Sequence, residues 1–262
     1  MKTISANINV MIMACEKASK SLIRDFGEIE KLQVSIKGPS DFVSSADKKV
    51  EKTLISELKK SRPNYSILSE EIGEIKSENS EYRWIIDPID GTANFLHGIP
   101  HFAISVGLEN NNEIICGIIY DPIKDEMFVA EKGNGAYLND KRLRVSSRSQ
   151  LKNCIIFTGG PRNHAKDKEL TLKNYTDFSS KVHIPIRKLG SAALDMAYVA
   201  AGRCDGFWQR NLNYWDVAAG IVIVKEAGGF ITDFMGGKDY IENKNILVSN
   251  AKISNEMIEV LK

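Results

Sequence analysis

The sequence predicts a protein of the α+β class in which helices and sheets pack in layers. Three observations support this prediction. Apolar residues recur at helical spacing near the N-terminus, short apolar runs bounded by turn residues follow in the centre, and the C-terminal part alternates between the two patterns. Helices and strands that interleave along a chain bury their apolar faces against one another as stacked layers.

Two helices are predicted first. Residues 5–32 carry apolar side chains at helical spacing, such as Ile8 and Ile12. A second helix is predicted over residues 46–60, and Pro63 stops it because proline cannot continue the helical hydrogen-bond pattern.

The central region is predicted to form short strands. Asn110-Asn111-Asn112 separates two apolar runs and is typical of a hairpin turn. The predicted strands cover residues 65–69, 83–86, 101–109, 114–120 and 126–131.

Strands and helices alternate in the C-terminal part. The predicted strands cover residues 154–158, 183–186, 206–209 and 246–248, and the predicted helices cover 167–180, 191–201, 216–227 and the C-terminal end. No linker divides the chain, so we expect residues 1–262 to form one unit. Its approximate subdomains would be 1–150 and 151–262, with the functional site between them.

Composition excludes several classes of protein. The 262 residues are 43% apolar and 26% charged, and the formal net charge is +1. This balance gives no electrostatic case for nucleic acid or an acidic membrane surface as the main partner. No apolar run reaches membrane-spanning length, and four scattered cysteines lack the spacing of a zinc site. We therefore expect free thiols in a reducing compartment, the cytoplasm.

Acidic residues follow two of the predicted strands. Glu70 follows the strand over 65–69, and Asp87 and Asp90 follow the strand over 83–86. Carboxylates at the carboxyl ends of neighbouring strands can converge, and a cation must then offset their repulsion. No His or Cys accompanies them, so this oxygen-only set favours Mg²⁺ over Zn²⁺.

The segment over residues 87–92 has features that suit a metal and a phosphate. Pro88 fixes the backbone, so the Ile89 carbonyl can turn toward an ion. Gly91 permits close approach of a ligand, and Thr92 is expected to cap a helix whose N-terminus suits a phosphate. The alternative is a plain surface turn, since Asp-Pro and Asp-Gly are common turn formers.

Two further elements carry candidate site residues. Asp216 lies at a predicted helix start, where its alternative role is that of an N-cap residue. Small residues over 190–193 open another helix whose amides can contact a ligand. The alternative for that helix is a capped segment whose alanine face packs tightly.

Together these elements resemble the inositol monophosphatase family. The resemblance runs from the first helix to the C-terminus and keeps the order and spacing of the family's motifs. It rests on Glu70-Glu71, Asp-Pro-Ile-Asp-Gly-Thr-Ala-Asn-Phe over 87–95, Trp-Asp-Val-Ala-Ala-Gly over 215–220 and Glu-Ala-Gly-Gly over 226–229, with further similarity at 41–43 and 47–48.

The resemblance implies an αβαβα sandwich of the sugar-phosphatase type, usually dimeric. It also implies a two-ion Mg²⁺ centre. Glu70, Asp87 and the Ile89 carbonyl would surround one ion, and Asp87, Asp90 and Asp216 would hold a second. Such a pair clamps a phosphate and lowers the pKa of a bound water.

The resemblance assigns catalytic and substrate roles as well. Glu70 and Thr92 would orient the attacking water, with Asp47 hydrogen-bonded to Thr92. The amides of Gly91 and Thr92 would hold phosphate oxygens. The rest of the substrate would be bordered by Gly190, Ser191, Ala192, Gln209 and Asp216.

One position departs from the family pattern. Many members have Glu seven residues before the Trp-Asp aspartate, where this chain has Gln209, followed by Arg210. Gln offers uncharged and therefore weaker hydrogen bonds to sugar hydroxyls. Arg210 is either a donor for a second phosphate or carboxylate, or a surface or dimer-interface residue.

The leading hypothesis is hydrolysis of inositol 1-phosphate, or more broadly of polyol and sugar phosphates. The nearest rival substrates are fructose 1,6-bisphosphate, a 3′-phosphonucleotide and histidinol phosphate. A hypothesis of another class is a regulatory protein that binds transcription or ribosome machinery through the basic stretch 141–144 and Arg148, although a solvated hairpin edge also explains that stretch.

Overall fold

The structure is a computed structural model that describes residues 5–28, 34–38, 41–78, 80–160, 165–182 and 184–262. Two large sheets and a short two-stranded ribbon are present in these ranges. The helices are α1 (Ala6–Phe26), α2 (Ser45–Ser61), α3 (Thr92–Leu96), α4 (Ala165–Asp177), α5 (Ala192–Ala200), α6 (Tyr214–Glu226) and α7 (Ser254–Leu261).

The larger sheet has eight mostly antiparallel strands. These are β3 (Ser66–Ser69), β4 (Gly73–Ile75), β5 (Tyr82–Asp90), β6 (Ala103–Asn110), β7 (Glu113–Asp121), β8 (Glu126–Glu131), β9 (Gly135–Leu138) and β10 (Lys141–Arg142). Their order is β10-β9-β8-β7-β6-β5-β3-β4, and β3 and β5 are parallel neighbours. The ribbon β1 (Val34–Gly38) and β2 (Asp41–Ser44) precedes this sheet in the chain.

The second sheet has five strands and mixed topology. These are β11 (Ile156–Thr158), β12 (Ile186–Arg187), β13 (Gly206–Arg210), β14 (Phe230–Thr232) and β15 (Asn245–Ser249), in the order β12-β11-β13-β15-β14.

Apolar contacts stack these elements in five layers. Helices α1 and α2 cover one face of the larger sheet, where Leu22 and Leu54 pack with Trp84. Helices α5 and α6 lie between the two sheets, and α4 and α7 cover the outer face of the second sheet. The expected αβαβα sandwich is therefore confirmed.

Helix α6 is buried along most of its length because a sheet packs on each side of it. Its approach to β7 is close, since a Cβ on Gly117 would lie 2.5 Å from the carbonyl oxygen of Ala219. This packing fixes the position of Asp216, which α6 carries.

Several predicted boundaries differ from the structure. Helix α1 ends at Phe26, where the Gly27 amide bonds the last carbonyls, and most of the predicted extension to residue 32 lies outside the described residues. The strand predicted over 83–86 continues to Asp90. The strand predicted over 183–186 is observed as Ile186–Arg187, and His183 is not among the described residues.

The four cysteines are free and buried, as the sequence predicts. Burial raises the pKa of the Cys116 and Cys154 thiols to about 12. In the described ranges, none of the helices has the length and apolar character needed to cross a bilayer.

Candidate metal and phosphate site

Parallel pairing of β3 and β5 brings two of the predicted acidic residues to the same edge of the sheet. Ser69 pairs with Ile86, so Glu70 and Asp87 follow at matching positions. The Glu70 amide extends this pairing by donating to the Ile86 carbonyl at 3.2 Å. The convergence expected from the sequence therefore has a specific origin in strand register.

A bulge at the end of β5 explains how Asp87 and Asp90 act together. Asp87 pairs with Ser105 and Asp90 with Ala103, so β5 has one more residue than β6 between these pairs. In a regular strand, side chains three residues apart point to opposite faces, whereas one extra residue returns them to the same face. Residues 87–90, for which the sequence left a plain surface turn as the alternative, thus form a bulged strand end.

Hydrogen bonding inside the bulge orients Asp87. The Ile89 amide donates to Oδ1 of Asp87 at 3.1 Å. One oxygen of this carboxylate is therefore turned toward its own backbone.

Asp216 joins the two strand carboxylates from α6. Oxygen atoms of Asp87, Asp90 and Asp216 all lie within 4.8 Å of one another, and all three residues are buried. Asp216 is the third residue of α6 and not its N-cap, which is Asn213. Oδ2 of Asp216 accepts the Asn213 amide at 2.7 Å, so this carboxylate also stabilises the helix start.

The electrostatics of the cluster call for a positive charge. Burial, followed by the charges of Glu70, Asp90, Asp216 and Asp47, raises the pKa of Asp87 well above its usual range. Buried carboxylates at such separations either bind protons or share a cation. An oxygen-only, buried donor set fits a hard divalent ion, so the residues present suit Mg²⁺.

The start of α5 contacts Asp90. The Ser191 hydroxyl and the Ala193 amide both donate to Oδ2 of Asp90, the latter at 2.7 Å. Ser191 is also the N-cap of α5, where its hydroxyl oxygen accepts the Leu194 amide at 3.3 Å. Of the two interpretations left open by the sequence, the capped and tightly packed helix describes α5. Contacts of Gly190, Ser191 and Ala192 with a substrate stay a prediction.

Gly91, and not Thr92, is the N-cap residue of α3. Its φ of 96° lies in the left-handed region that glycine adopts without strain. Oγ1 of Thr92 lies 2.9 Å from the Ile89 carbonyl oxygen and 3.3 Å from Oδ1 of Asp47. A hydroxyl has one proton, so Thr92 donates to one of these acceptors at a time.

Asn94 has a role that sequence reasoning missed. Its amide donates to the His101 carbonyl at 2.7 Å and to the Leu189 carbonyl at 2.8 Å. Asn94 therefore ties α3 to the segment before α5. The signal in the sequence was its place in the motif over 87–95, but no local pattern identifies its partners.

Gln209 and Arg210 contact other parts of the chain. Gln209 is buried on β13 and packs so closely on Gly159 that a Cβ there would collide with its side chain. Arg210 donates to Oδ1 of Asn174 at 2.8 Å, and its guanidinium lies 4.5 Å from the centre of the Phe234 ring. Arg210 thus has intramolecular contacts, and its role toward a ligand stays a prediction.

The basic stretch over 141–144 includes the edge strand β10. Lys141, Arg142 and Arg144 are exposed, whereas Leu143 is buried. Arg148 pairs with Asp205 at 3.0 Å. Charged residues at a sheet edge also discourage pairing with other chains, so this geometry agrees with the solvated hairpin edge.

Comparison with known proteins gives one consistent result. The sequence model described as the inositol monophosphatase family matches residues 5–261. An inositol-1-monophosphatase from Mesorhizobium japonicum is 49% identical over 261 residues, which cover 98% of this chain and 97% of that protein. The Nus factor SuhB of Haemophilus influenzae is 37% identical over 257 residues, covering 97% and 95%.

Comparison with solved structures agrees with these sequence matches. The crystal structure of the extragenic suppressor protein suhB from Bartonella henselae is similar with a TM-score of 0.95 and 52% sequence identity. The match covers 98% of this chain and 99% of that one.

Proposed function

Because this chain belongs to the inositol monophosphatase family and is a phosphoric monoester hydrolase, we propose that it hydrolyses inositol 1-phosphate or a related polyol or sugar phosphate with Mg²⁺. The observation that carries this proposal is the buried cluster of Asp87, Asp90 and Asp216. Such a cluster is costly without a cation, and an oxygen-only set suits Mg²⁺.

Two groups of residues would hold the ions. Glu70, Asp87 and the Ile89 carbonyl would hold one, and Asp87, Asp90 and Asp216 the other. When bound, the ions would supply positive charge that neutralises phosphate oxygens and lowers the pKa of an attacking water.

The remaining roles belong to residues beside the cluster. Thr92 can donate its hydroxyl proton to Asp47, which leaves its oxygen as an acceptor for water. Glu70 would accept a hydrogen bond from the second hydrogen of that water, and this pair of acceptors would set the direction from which the water attacks. The amides of Gly91 and Thr92, at the start of α3, would donate to phosphate oxygens.

A phosphate-release assay tests the chemistry. We expect inositol 1-phosphate to be hydrolysed only with Mg²⁺, and Asp90→Asn to lose at least about 1,000-fold in kcat/KM because the charge that balances the cation is removed. Asp233→Asn is the matched control. This buried aspartate orders a turn after β14 and lies outside the cluster. Full activity in excess chelator would refute the metal mechanism.

A substrate panel tests the specificity. We propose that Gln209, together with Gly190, Ser191, Ala192 and Asp216, borders the alcohol part of the substrate. Gln209→Glu should then lower KM for inositol 1-phosphate by about tenfold, since charged acceptors form roughly twice as strong hydrogen bonds. Fructose 1,6-bisphosphate, a 3′-phosphonucleotide and histidinol phosphate complete the panel. If Gln209→Glu changed KM equally for every substrate of the panel, Gln209 would not determine specificity.

A second candidate function is regulatory binding to transcription or ribosome machinery. It is favoured by the name of one relative, a Nus factor that is 37% identical. The exposed basic side chains of Lys141, Arg142 and Arg144 offer a surface. If catalytically inactive Asp90→Asn protein fully restored a deletion strain, binding and not hydrolysis would be the main role.

We also propose that the chain acts as a homodimer in the cytoplasm. Free, buried cysteines fit a reducing compartment. Light scattering of the purified protein measures the oligomeric state, and a single species at monomer mass would contradict the proposal.

A further inference from the structure

One face of α2 carries two buried carboxylates. Asp47 and Glu51 are four residues apart, so they lie one above the other on that face. Both are almost completely buried, with 1% and 2% exposure. Asp47 contacts Thr92. Glu51 is not among the residues proposed to hold the ions, the water or the phosphate.

Glu51 contacts the chain on both sides of Glu70. Its Oε1 atom accepts the Ser69 hydroxyl, the Glu71 amide at 3.1 Å and the Ile72 amide at 3.2 Å. The amide of Glu70 itself donates to the Ile86 carbonyl. Every backbone amide from Glu70 to Ile72 is therefore bonded to α2 or to β5.

We propose that Glu51 is a positioning residue that fixes the turn over residues 69–72 and thereby directs Glu70 toward Asp87. The proposal rests on the proposed function, because it assigns Glu51 to the metal site through Glu70. Residues behind metal ligands commonly set ligand orientation in this way. Helix α2 then acts as a common support that places Thr92 through Asp47 and Glu70 through Glu51.

The chemistry of Glu51 supports a positioning role over a role in stability alone. A buried carboxylate is expensive to desolvate, and apolar residues of similar size often give equal or greater stability. Glu51 also adds negative charge one helical turn from Asp47, beside a cluster that is already acidic. Three charge-assisted hydrogen bonds offset these costs, and they hold the turn over residues 69–72 in one conformation.

The test compares Glu51→Ala with Glu51→Gln. Calorimetric titration of the full-length, metal-free protein with Mg²⁺ should show affinity about 10- to 100-fold weaker for Glu51→Ala. Glu51→Gln keeps an acceptor at the same place and should stay within about threefold of wild type. Hydrogen exchange of the Glu71 and Ile72 amides, measured without metal, should accelerate in Glu51→Ala and much less in Glu51→Gln.

Asp233→Ala is the matched control. Oδ1 of Asp233 also accepts two backbone amides in a turn, from Met235 at 2.8 Å and Gly237 at 2.7 Å. It should lose stability and keep Mg²⁺ affinity within about threefold. Equal loss of Mg²⁺ affinity in Asp233→Ala and Glu51→Ala would overturn the proposal, because it would point to general destabilisation.

The Mg²⁺ titration and the hydrogen exchange together distinguish a failure of this inference from a failure of the proposed function. If wild-type protein binds no Mg²⁺, the proposed function fails, while exchange at Glu71 and Ile72 still decides whether Glu51 holds the turn. Unchanged exchange or unchanged Mg²⁺ affinity in folded Glu51→Ala overturns the inference. If Glu51→Ala does not fold, Ser69→Ala removes one of the three donors and should weaken Mg²⁺ binding by about tenfold; a change within about threefold would count against the inference.

Discussion

The Ala193 amide donates a 2.7 Å hydrogen bond to Oδ2 of Asp90, although 103 residues separate the two in sequence. The Ser191 hydroxyl donates to the same oxygen. The start of α5, which lies between the two sheets, therefore orients a carboxylate at the end of β5. The Oδ2 atom of Asp90 is thus bound by two donors from the start of α5.

The first prediction concerns Ser191→Ala, which removes a donor to Asp90 and the N-cap of α5. We expect the free energy of unfolding to fall by about 1–2 kcal/mol. Mg²⁺ affinity should fall about tenfold, because Asp90 loses a group that orients it. Chemical denaturation and calorimetric titration measure the two effects.

Ser5→Ala is the control for that prediction. Ser5 is the N-cap of α1 and accepts the Ile8 amide at 3.3 Å, but it contacts no carboxylate of the cluster. Its loss should cost about 0.5–2 kcal/mol of stability and leave Mg²⁺ affinity unchanged. Equal losses of Mg²⁺ affinity in both variants would mean that Asp90 does not depend on Ser191.

The parts of this site that could be predicted from the sequence depend on local patterns. Apolar runs ending in acidic residues predict β3 and β5, and parallel pairing of these strands brings Glu70 beside Asp87. The inference from the strands succeeds because strand alternation and chain order determine which side chains reach one sheet edge. Asp216 is expected in the cluster only from the resemblance to the inositol monophosphatase family, since its local pattern equally fits an N-cap.

The parts that could not be predicted depend on contacts between distant segments. The bulge that turns Asp87 and Asp90 to one face needs the register of β5 against β6. The donors to Asp90 come from α5, and the acceptors of Asn94 lie in two separate segments. A single sequence carries no pattern that pairs these residues, because tertiary packing sets their distances.

The second prediction is that Asp87→Asn has opposite effects with and without metal. Burial and the neighbouring carboxylates raise the pKa of Asp87, so the metal-free fold loses stability as the pH rises from the unfolded value of about 4. Removing this charge should raise the melting temperature at pH 7 by a few degrees, since about 1 kcal/mol corresponds to about 2–4 °C here. It should also abolish the rise that Mg²⁺ produces in wild type.

Thermal melts in chelator and in Mg²⁺ measure both effects. Asp233→Asn is again the comparison, because it removes a buried carboxylate that accepts backbone amides and lies outside the cluster of Asp87, Asp90 and Asp216. It should lower the melting temperature and preserve the response to Mg²⁺. A lower melting temperature for metal-free Asp87→Asn than for wild type would show that the hydrogen bond from the Ile89 amide to Asp87 outweighs the repulsion within the cluster.

The third prediction compares Gly91→Ala with Gly98→Ala. Both glycines have positive φ, 96° and 70°. A Cβ on Gly91 would lie 3.1 Å from the His101 carbonyl oxygen and 3.3 Å from that of Gly190, whereas nothing lies within 4 Å of a Cβ on Gly98. Gly98→Ala should therefore cost about 1–2 kcal/mol from backbone strain alone.

Gly91→Ala should cost at least about 1 kcal/mol more, because a methyl group enters a filled space. It should also reduce kcat for phosphate release, since it displaces the amides at the start of α3, while Gly98→Ala should leave kcat near that of wild type. Denaturation curves and steady-state kinetics test this pair. Equal losses of stability would show that the contacts of Gly91 have no effect beyond its φ angle.

The last prediction concerns acid pH and His101, whose carbonyl accepts the Asn94 amide. Burial, with a smaller effect from Lys124, lowers the pKa of His101 from 6.5 to about 4, although Asp121 opposes the shift. Between these values the unfolded chain binds a proton that the folded chain excludes, so His101 should reduce stability as the pH falls from 6.5 toward 4.

His101→Gln should lack this contribution. The free energy of unfolding is measured against pH for both proteins, and the difference between the two profiles isolates His101 because every other group contributes equally to both. NMR titration should place the His101 midpoint near 4; a midpoint near 6.5 would mean that its ring is hydrated, and the two profiles would then run parallel.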